Sequence, residues 1–155
     1  LYGNIFDILK ILYLISKIKN LNFNITNMNE KFTMEFDMRG TPVSLLWKHI
    51  ATPPGLAQWF ADQVSLHDKT LTFKWGKNNE SRATILASRQ GSYIRLHWEG
   101  NDEKTYFELR IETSELTSGT TLLITDFADS PNDKESSIEL WEHQIDNLKR
   151  IIGCI

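Results

Sequence analysis

Histidine, cysteine and the acidic residues are the side chains of this chain that could supply catalysis or metal binding. The four histidines, His49, His67, His97 and His143, are scattered, and none belongs to an HExxH motif or another short ligand spacing. There is no glycine-rich phosphate loop and no Gly-x-Ser-x-Gly nucleophile motif. Cys154 is the only cysteine, so neither an internal disulfide nor a cysteine-rich metal site can form. The sequence therefore predicts no catalytic residue, no metal site and no cofactor.

Asp126 is the one carboxylate whose position could place it inside a folded domain. It lies in "TLLITDFAD" (121–129), where the side chains of a strand would alternate between two faces. If Leu122 and Ile124 face the core, Asp126 faces it too and could act on a bound molecule. The alternative is that Asp126 is a partner for the loop before the last helix.

The composition is that of an ordinary globular chain. Of 155 residues, 41% are hydrophobic and 24% are charged, and the net charge is -3. This length supports one domain with a substantial core but not comfortably two. A mildly acidic chain is not drawn to phosphate backbones, which argues against nucleic acid as a partner. A single cysteine favours the reducing cytoplasm as the location.

Residues 1–30 differ from the rest and are predicted to be an N-terminal extension. Residues 1–27 are built mainly from Ile, Leu, Asn, Lys, Tyr and Phe, and Asp7 is their only acid. Lysines interrupt the apolar run, which predicts no stable membrane insertion. We interpret the segment as a non-native leader preceding Met28 or Met34, or else as a flexible, membrane-surface or dimerising helix. The apolar residues at helical spacing are Ile5, Ile8, Leu9, Leu12, Ile15 and Ile18.

Residues 31–155 have the pattern of one α+β domain. "KFTMEFDM" (31–38) alternates like a strand, and two short helices are predicted on either side of Pro53-Pro54. Six short runs separated by tight turns follow, which predicts consecutive antiparallel hairpins. A long amphipathic helix from Pro131 can bury its apolar stripe only against one face of that sheet. The predicted fold is a curved antiparallel sheet of about seven strands wrapped around the C-terminal helix.

Alternation along the strands separates an apolar inner face from a mixed-charge outer face. The outer residues, among them Arg95, Glu108 and Arg110, are expected to form a solvated ladder of opposite charges. The inner residues offer no group for proton transfer except the indole N–H groups. They are Phe73, Trp75, Ile94, Leu96, Trp98, Phe107, Leu109, Ile111, Trp141, Ile145 and Leu148.

The order of elements, and "LLWKHIATPPGLAQWFAD" (45–62) in particular, resembles the START-like (SRPBCC) helix-grip superfamily. The most similar branch is often labelled homologue of the activator of the 90-kDa heat-shock protein ATPase, in its bacterial single-domain type. The landmarks that match are Trp47, Pro53-Pro54 and Trp59-Phe60, and "LWEHQIDNLKRII" looks like the final helix. The resemblance covers residues 32–153 and implies a cavity between sheet and long helix. Because the superfamily includes lipid carriers, cyclases, hormone receptors and co-chaperones, it does not specify a function.

The inner face and the resemblance together predict a non-catalytic domain that binds a small hydrophobic or lipid-like ligand. The alternatives are a co-chaperone-like domain, with a chaperone or another protein as its partner, and a cyclase-like enzyme. The expected ligand-binding residues are Trp47, Trp59, Phe60, Phe73, Trp75, Trp98, Phe107, Trp141, Ile145 and Leu148.

Trp59 and Phe60 are expected to drop into one end of the cavity as a lid or plug, or else to fill core. The lid alternative requires a Trp59 ring that is partly exposed in the free protein. It also uses Gly55, directly after the two prolines, as a hinge.

Overall fold

The computed structural model describes residues 5–19 and 29–154 of the chain. Met28, one of the two predicted start sites, lies outside the described residues, as do positions 20–27. The elements in chain order are α1 (Ile5–Lys19), β1 (Glu30–Asp37), α2 (Val43–Ala51), α3 (Pro53–Leu56), β2 (Gln63–His67), β3 (Thr70–Trp75), β4 (Asn79–Arg89), β5 (Tyr93–Trp98), β6 (Phe107–Thr113), β7 (Thr120–Ala128) and α4 (Pro131–Ile152).

One antiparallel sheet contains all seven of these strands, in the order β1-β7-β6-β5-β4-β3-β2. Strands β2 to β7 are successive hairpins, and β1 joins the sheet beside β7. A bulge in β4 leaves Leu86 unpaired between Ile85, opposite Leu96, and Ala87, opposite Arg95. Bulges of this kind bend a strand and increase its twist, which helps the sheet to curve. The predicted α+β helix-grip fold is confirmed.

The C-terminal helix α4 packs its apolar stripe onto the inner face of the sheet. Trp141, Ile145 and Leu148 are buried there together with Phe73, Phe107 and Leu109 from the strands. Ser130 caps the helix by accepting a hydrogen bond from the Asp133 backbone N–H at 3.1 Å. At its other end Gly153 takes a left-handed conformation, which glycine adopts without strain.

The bend between α2 and α3 is a close-packed joint. Thr52 caps α3 by accepting a hydrogen bond from the Gly55 N–H at 3.2 Å, and its own hydroxyl donates to the Lys48 carbonyl. A Cβ at position 55 would lie 2.0 Å from the Lys48 carbonyl oxygen and 2.7 Å from the His49 Cα. The predicted hinge role of Gly55 is therefore wrong: glycine is needed here because α3 lies directly against the backbone of α2.

The outer face of the sheet is more ordered than the predicted solvated ladder. Both carboxylate oxygens of Glu108 are held by guanidinium groups: Arg95 Nε donates to Oε2 and Arg110 Nε to Oε1, each at 2.8 Å. The two guanidinium groups also lie over tyrosine rings, Arg95 over Tyr106 at 4.2 Å and Arg110 over Tyr93 at 4.3 Å. Glu108 is consequently buried on the side of the sheet that faces away from α4.

Helix α1 forms within the predicted N-terminal extension and packs against α4. Its buried side is not the predicted apolar stripe. Lys10 is buried, whereas Ile8, Leu12 and Ile15 are exposed. Within the described residues, no helix combines the length and the hydropathy that a membrane span requires.

We expect Gly55→Ala to destabilise the domain by about 1–3 kcal/mol or more, because the new methyl group would meet backbone atoms that cannot rotate away. Thermal unfolding measures the loss. Gly119→Ala is the matched control, since the atom nearest its Cβ is the mobile Thr117 hydroxyl at 3.0 Å. Equal melting temperatures for the two variants would show that α3 can move off α2.

We expect Glu108→Gln to cost about 1–2 kcal/mol near neutral pH, because an amide cannot accept hydrogen bonds from both arginines. The hydrogen bonds from Arg110 and Arg95 outweigh the effect of burial and lower the pKa of Glu108. The stabilisation is therefore complete above the ordinary glutamate pKa of about 4.3 and is lost as the pH falls through the lowered value.

Denaturant unfolding at a series of pH values measures this dependence. Glu112→Gln, an exposed change four residues along the same strand, serves as the control. A Glu108→Gln penalty that is unchanged well below the ordinary glutamate range would contradict an ionic origin.

Candidate functional site

The candidate site is built around Phe60, which follows α3 and enters the space between the sheet and α4. Its ring centroid lies 5.0 Å from that of Phe73, 6.0 Å from Trp141 and 6.3 Å from Trp98. Trp59, Trp75 and Phe107 complete the ring contacts, all within 6.4 Å. Offset and edge-on contacts at these distances are favourable for aromatic side chains. We call these seven residues the aromatic cluster.

Three buried tryptophans of the aromatic cluster use their indole N–H groups inside the protein. Trp59 donates to the His49 carbonyl at 2.9 Å, and Trp75 donates to the Phe60 carbonyl at 2.8 Å. Trp141 donates to Asp126 Oδ2 at 2.9 Å. The N–H groups of Trp75 and Trp141, two of the three that sequence analysis placed on the inner face, are thus already engaged. The bonds to backbone carbonyls fix Trp59 and Trp75 in place.

Asp126 lies inside the domain, as the alternation in β7 indicated, because Leu122 and Ile124 are fully buried on the same side of the strand. Its Oδ1 accepts from the Phe127 backbone N–H at 2.8 Å while Oδ2 accepts from Trp141. Burial raises the pKa of Asp126, although the charge of Lys17 and these two hydrogen bonds act in the opposite direction. Asp126 therefore binds the last helix itself, through Trp141.

Helix α1 supplies a cation, Lys17, whose charge acts on this acid. Lys17 Nζ lies 3.6 Å from Asp133 Oδ2, and it donates to the Phe127 carbonyl at 3.5 Å. Tyr13 lies one turn earlier, and its ring centroid is 5.3 Å from Lys17 Nζ. Burial raises the pKa of Tyr13 well above its ordinary value, and the charges of Asp126 and Asp133 add to that rise. The site thus has a polar end, where the buried acids Asp126 and Asp133 lie beside Tyr13 and Lys17 of α1.

A small cavity of about 30 Å³ remains beneath α1. Lys10, Tyr13 and Leu14 cover it from above, and burial lowers the pKa of Lys10 against the opposing charges of Asp62 and Asp7. A larger groove of about 320 Å³ adjoins it along β4 and β5 and shares Tyr13, Leu14 and Trp98 with it. The wall of the small cavity opposite α1 consists of Phe60, Trp75, Trp98, Leu140, Trp141 and Gln144.

The structure brings most of the predicted ligand-binding residues together but gives them different positions. Phe60, Trp75, Trp98 and Trp141 line the small cavity. Ile145 and Leu148 are fully buried in the core beside it, and Trp47 is a partly buried residue at the edge of that core. The remaining three, Trp59, Phe73 and Phe107, pack within the aromatic cluster.

Sequence analysis missed five residues of the cavity wall. Leu140 and Gln144 precede Trp141 and Ile145 by one position each on α4, so a wider buried stripe would have included both. The other three, Lys10, Tyr13 and Leu14, belong to α1. No pattern in the sequence indicates that the lysine-bearing side of α1 faces inward.

Of the two alternatives for Trp59, the partly exposed lid is wrong, and the ring lies in the core. The Trp59 ring is only 3% exposed, and its N–H is bonded to the backbone of α2. The tight contact of Gly55 with α2 holds the segment that carries Trp59 and Phe60, which leaves no room for a hinged opening. Trp59 is thus a fixed plug at this end of the domain.

Groups suited to acid–base or metal chemistry are sparse at this site. Among residues 5–19 and 29–154, no cluster of three or more His, Cys, Asp or Glu side chains has the arrangement of a metal site. His97 Nδ1 is hydrogen bonded to the Thr105 carbonyl at 2.7 Å, and His49 Nδ1 to the Leu45 carbonyl at 2.9 Å.

The hydrogen bond from Trp141 to Asp126 predicts that the stability lost on replacing Trp141 depends on pH. Because the folded pKa of Asp126 is raised, wild-type stability falls as the pH rises from about 3.9 through that value. Trp141→Phe removes a donor that favours the charged form and raises this pKa further. We expect an added loss of about 1.5–3 kcal/mol where Asp126 is ionised and a smaller loss where it is protonated.

Denaturant unfolding at about pH 4 and about pH 8 checks this expectation, since a larger fraction of Asp126 is ionised at the higher pH. Trp75→Phe makes the same change in size, but the acceptor left without its donor is the uncharged Phe60 carbonyl. Its cost should be nearly the same at both pH values. If the stability losses of the two variants changed with pH in the same way, Asp126 would not be the charged acceptor of the Trp141 N–H.

Comparison with known proteins places this geometry in a family. A model of the START-like superfamily domain matches residues 26–154. The solution structure of BfR322 from Bacteroides fragilis shares 41% identity, covers 79% of this chain and 90% of its own, and gives a TM-score of 0.58. Among curated proteins, no sequence matches.

Two more distant structures share the fold. The Aha1 dimer from Colwellia psychrerythraea is 13% identical, with coverage of 79% of this chain and 96% of its own and a TM-score of 0.65. SSP2350 from Staphylococcus saprophyticus is 16% identical, with coverage of 77% and 89% and a TM-score of 0.61. Since the family model spans most of the chain and the sheet grips α4 as the resemblance implied, this chain belongs to the START-like superfamily.

Proposed function

We propose that this domain binds a small hydrophobic or lipid-like ligand, without catalysis, in the space between the sheet and α4. The observation that supports the proposal is the aromatic-lined cavity beneath α1. Phe60, Trp75, Trp98 and Trp141 converge on it from four separate parts of the chain. Ligand sites in proteins are commonly concave, apolar and rich in aromatic side chains, with few polar groups.

The present cavity is too small for such a ligand. A volume of about 30 Å³ accommodates little more than water, whereas sites for small molecules typically occupy about 300–1,000 Å³. Helix α1 separates this cavity from the groove of about 320 Å³ beside it, because Tyr13 and Leu14 line both. Movement of α1 would join the two spaces, so the binding-competent state is one in which α1 has shifted.

The hydrogen bonds of Asp126, which contacts the cavity-lining Trp141, support a binding role without catalysis. Both oxygens of Asp126 accept hydrogen bonds from the protein, one from Trp141 and one from the Phe127 backbone. A general base must instead reach a proton of the substrate. Gln144, an uncharged amide, is the polar residue that α4 contributes to the cavity wall.

Activation of a heat-shock ATPase, the alternative that the resemblance implies, receives weaker support. The Aha1 structure is similar in fold at 13% identity, and fold similarity at that level does not transfer an activity. The family also uses this fold for several kinds of binding. We therefore favour the ligand-binding function, which the cavity itself supports.

We expect N-phenyl-1-naphthylamine, an uncharged apolar dye, to bind the full chain with one-to-one stoichiometry and to quench tryptophan fluorescence. Its affinity should be moderate, because only the state with α1 displaced is competent to bind. Dodecanol should compete with the dye. The absence of saturable binding, together with the absence of any co-purified molecule in native mass spectrometry, would overturn the proposed function.

The variant Leu140→Phe locates the binding site. A larger side chain in the cavity wall should weaken dye binding by about tenfold, the effect of losing roughly one buried apolar group's contribution. Leu116→Phe is the matched control, because Leu116 is 98% exposed. Equal affinities for the two variants would show that the dye binds elsewhere.

A further inference from the structure

The polar end of the site contains buried polar atoms without partners. Among the described residues, Asp133 Oδ1 and Ser137 Oγ have no hydrogen-bond partner, although the Asp133 side chain is 4% exposed and Ser137 is fully buried. Ser137 lies close enough to Tyr13 to affect its hydroxyl, but not at hydrogen-bonding geometry. Unpaired buried acceptors are costly and therefore rare in native proteins.

The cation beside Asp133, Lys17, contacts the other carboxylate oxygen and is held loosely. Lys17 Nζ is 3.6 Å from Asp133 Oδ2 and 3.5 Å from the Phe127 carbonyl oxygen. Charge-assisted N–H···O contacts are typically about 2.7–2.9 Å, so neither contact is fully formed. An ammonium group that is not tied to a helix could approach Asp133 and Phe127 more closely.

The geometry points to an amphiphile with a primary amine as the ligand. Tyr13 and Lys17 of α1 occupy its position in the unliganded protein. The amine would occupy the position of Lys17 Nζ, between Asp133 and the Phe127 carbonyl, and the apolar body would enter the cavity beside Trp141. This inference rests on the proposed function and adds the chemical class of the ligand. The same site disfavours a carboxylate, because two buried acids would repel it.

Helix α1 has the properties of a displaceable cover. Its exposed side carries Ile8, Leu12 and Ile15, so docking leaves the most apolar stripe of the helix in water. The START-like match begins at residue 26, so α1 lies outside the segment that the family shares. If α1 left the site, the contacts of Tyr13 and Lys17 would be lost. The ligand would replace them with contacts of the same chemistry.

A matched series of ligands tests the inference on the full chain. Dodecylamine, dodecanol and dodecanoate share one alkyl chain and differ in the head group, and the amine is protonated near neutral pH. Quenching of tryptophan fluorescence below the micellar range reports their binding, since Trp75, Trp98 and Trp141 line the cavity. We expect the amine to bind about tenfold more tightly than the alcohol, and the carboxylate to bind most weakly.

Two variants assign the selectivity to the polar end. Asp133→Asn should weaken amine binding by about tenfold and leave dodecanol binding unchanged, because the amide can still accept from the Asp129 N–H but carries no charge. Glu142→Gln is the control, since it makes the same change of charge at an exposed position of α4. Lys17→Met removes the resident cation and should tighten amine binding by about three- to tenfold.

The possible results separate this inference from the proposed function. Equal affinities for amine and alcohol, or equal effects of Asp133→Asn and Glu142→Gln, would overturn the amine site while hydrophobic binding stands. If Asp133→Asn does not fold, Lys17→Met decides the question, and unchanged or weaker amine binding overturns the inference. If none of the three ligands binds saturably, both the amine site and the proposed function are wrong.

Discussion

The packing of Phe60 against six other aromatic rings holds this domain together. Those rings come from the segment after α3, from β3, β5 and β6, and from α4, so Phe60 joins parts of the chain that are far apart in sequence. Phe60 can reach that position because α3 lies directly on α2, which the absence of a Cβ at Gly55 permits. The short helices thus form a rigid unit that places the Phe60 ring between the sheet and α4.

This packing determines what the interior can do. With Trp59, Trp75 and Trp141 hydrogen bonded within the protein, the wall of the cavity is apolar and fixed in position. A rigid wall requires little ordering when a ligand binds, which favours affinity for a molecule of matching shape. Access then depends on the opposite side of the cavity, where α1 contributes Lys10, Tyr13 and Leu14. The division between a fixed wall and a separate cover is the structural basis of the proposed binding function.

The two sides of the sheet handle charge in different ways. On the outer side Glu108 has two arginine partners at 2.8 Å, and its pKa is lowered. On the inner side Asp126 has a tryptophan N–H and a backbone N–H, and its pKa is raised because burial outweighs both bonds. The outer acid therefore stabilises the sheet as an ion, whereas the inner acid carries a cost that cationic groups nearby relieve. That difference explains why a lysine of α1 is drawn to the interior.

The sequence by itself determined the elements of the folded domain, the successive hairpins from β2 to β7 and the inner face of the sheet. Alternation placed Phe73, Phe107 and Leu109 inside, and Pro131 marked the start of α4, because these signals depend on the period and on local backbone preference. The same alternation placed Asp126 inside once Leu122 and Ile124 were assigned to the core. The cavity residues Trp75, Trp98 and Trp141 followed from these faces.

Only the tertiary structure decided how distant elements meet. The burial of Trp59, the close contact at Gly55 and the bond from Trp141 to Asp126 each join two elements, and no periodicity within one element reports such a contact. Helix α1 shows the reason most clearly. Its apolar spacing favours burying Ile8, Leu12 and Ile15, but the acids at the end of the grip and the opening beside Trp141 select the side that carries Tyr13 and Lys17. The orientation of a helix depends on the surface that receives it, and that surface exists only after the sheet and α4 have packed.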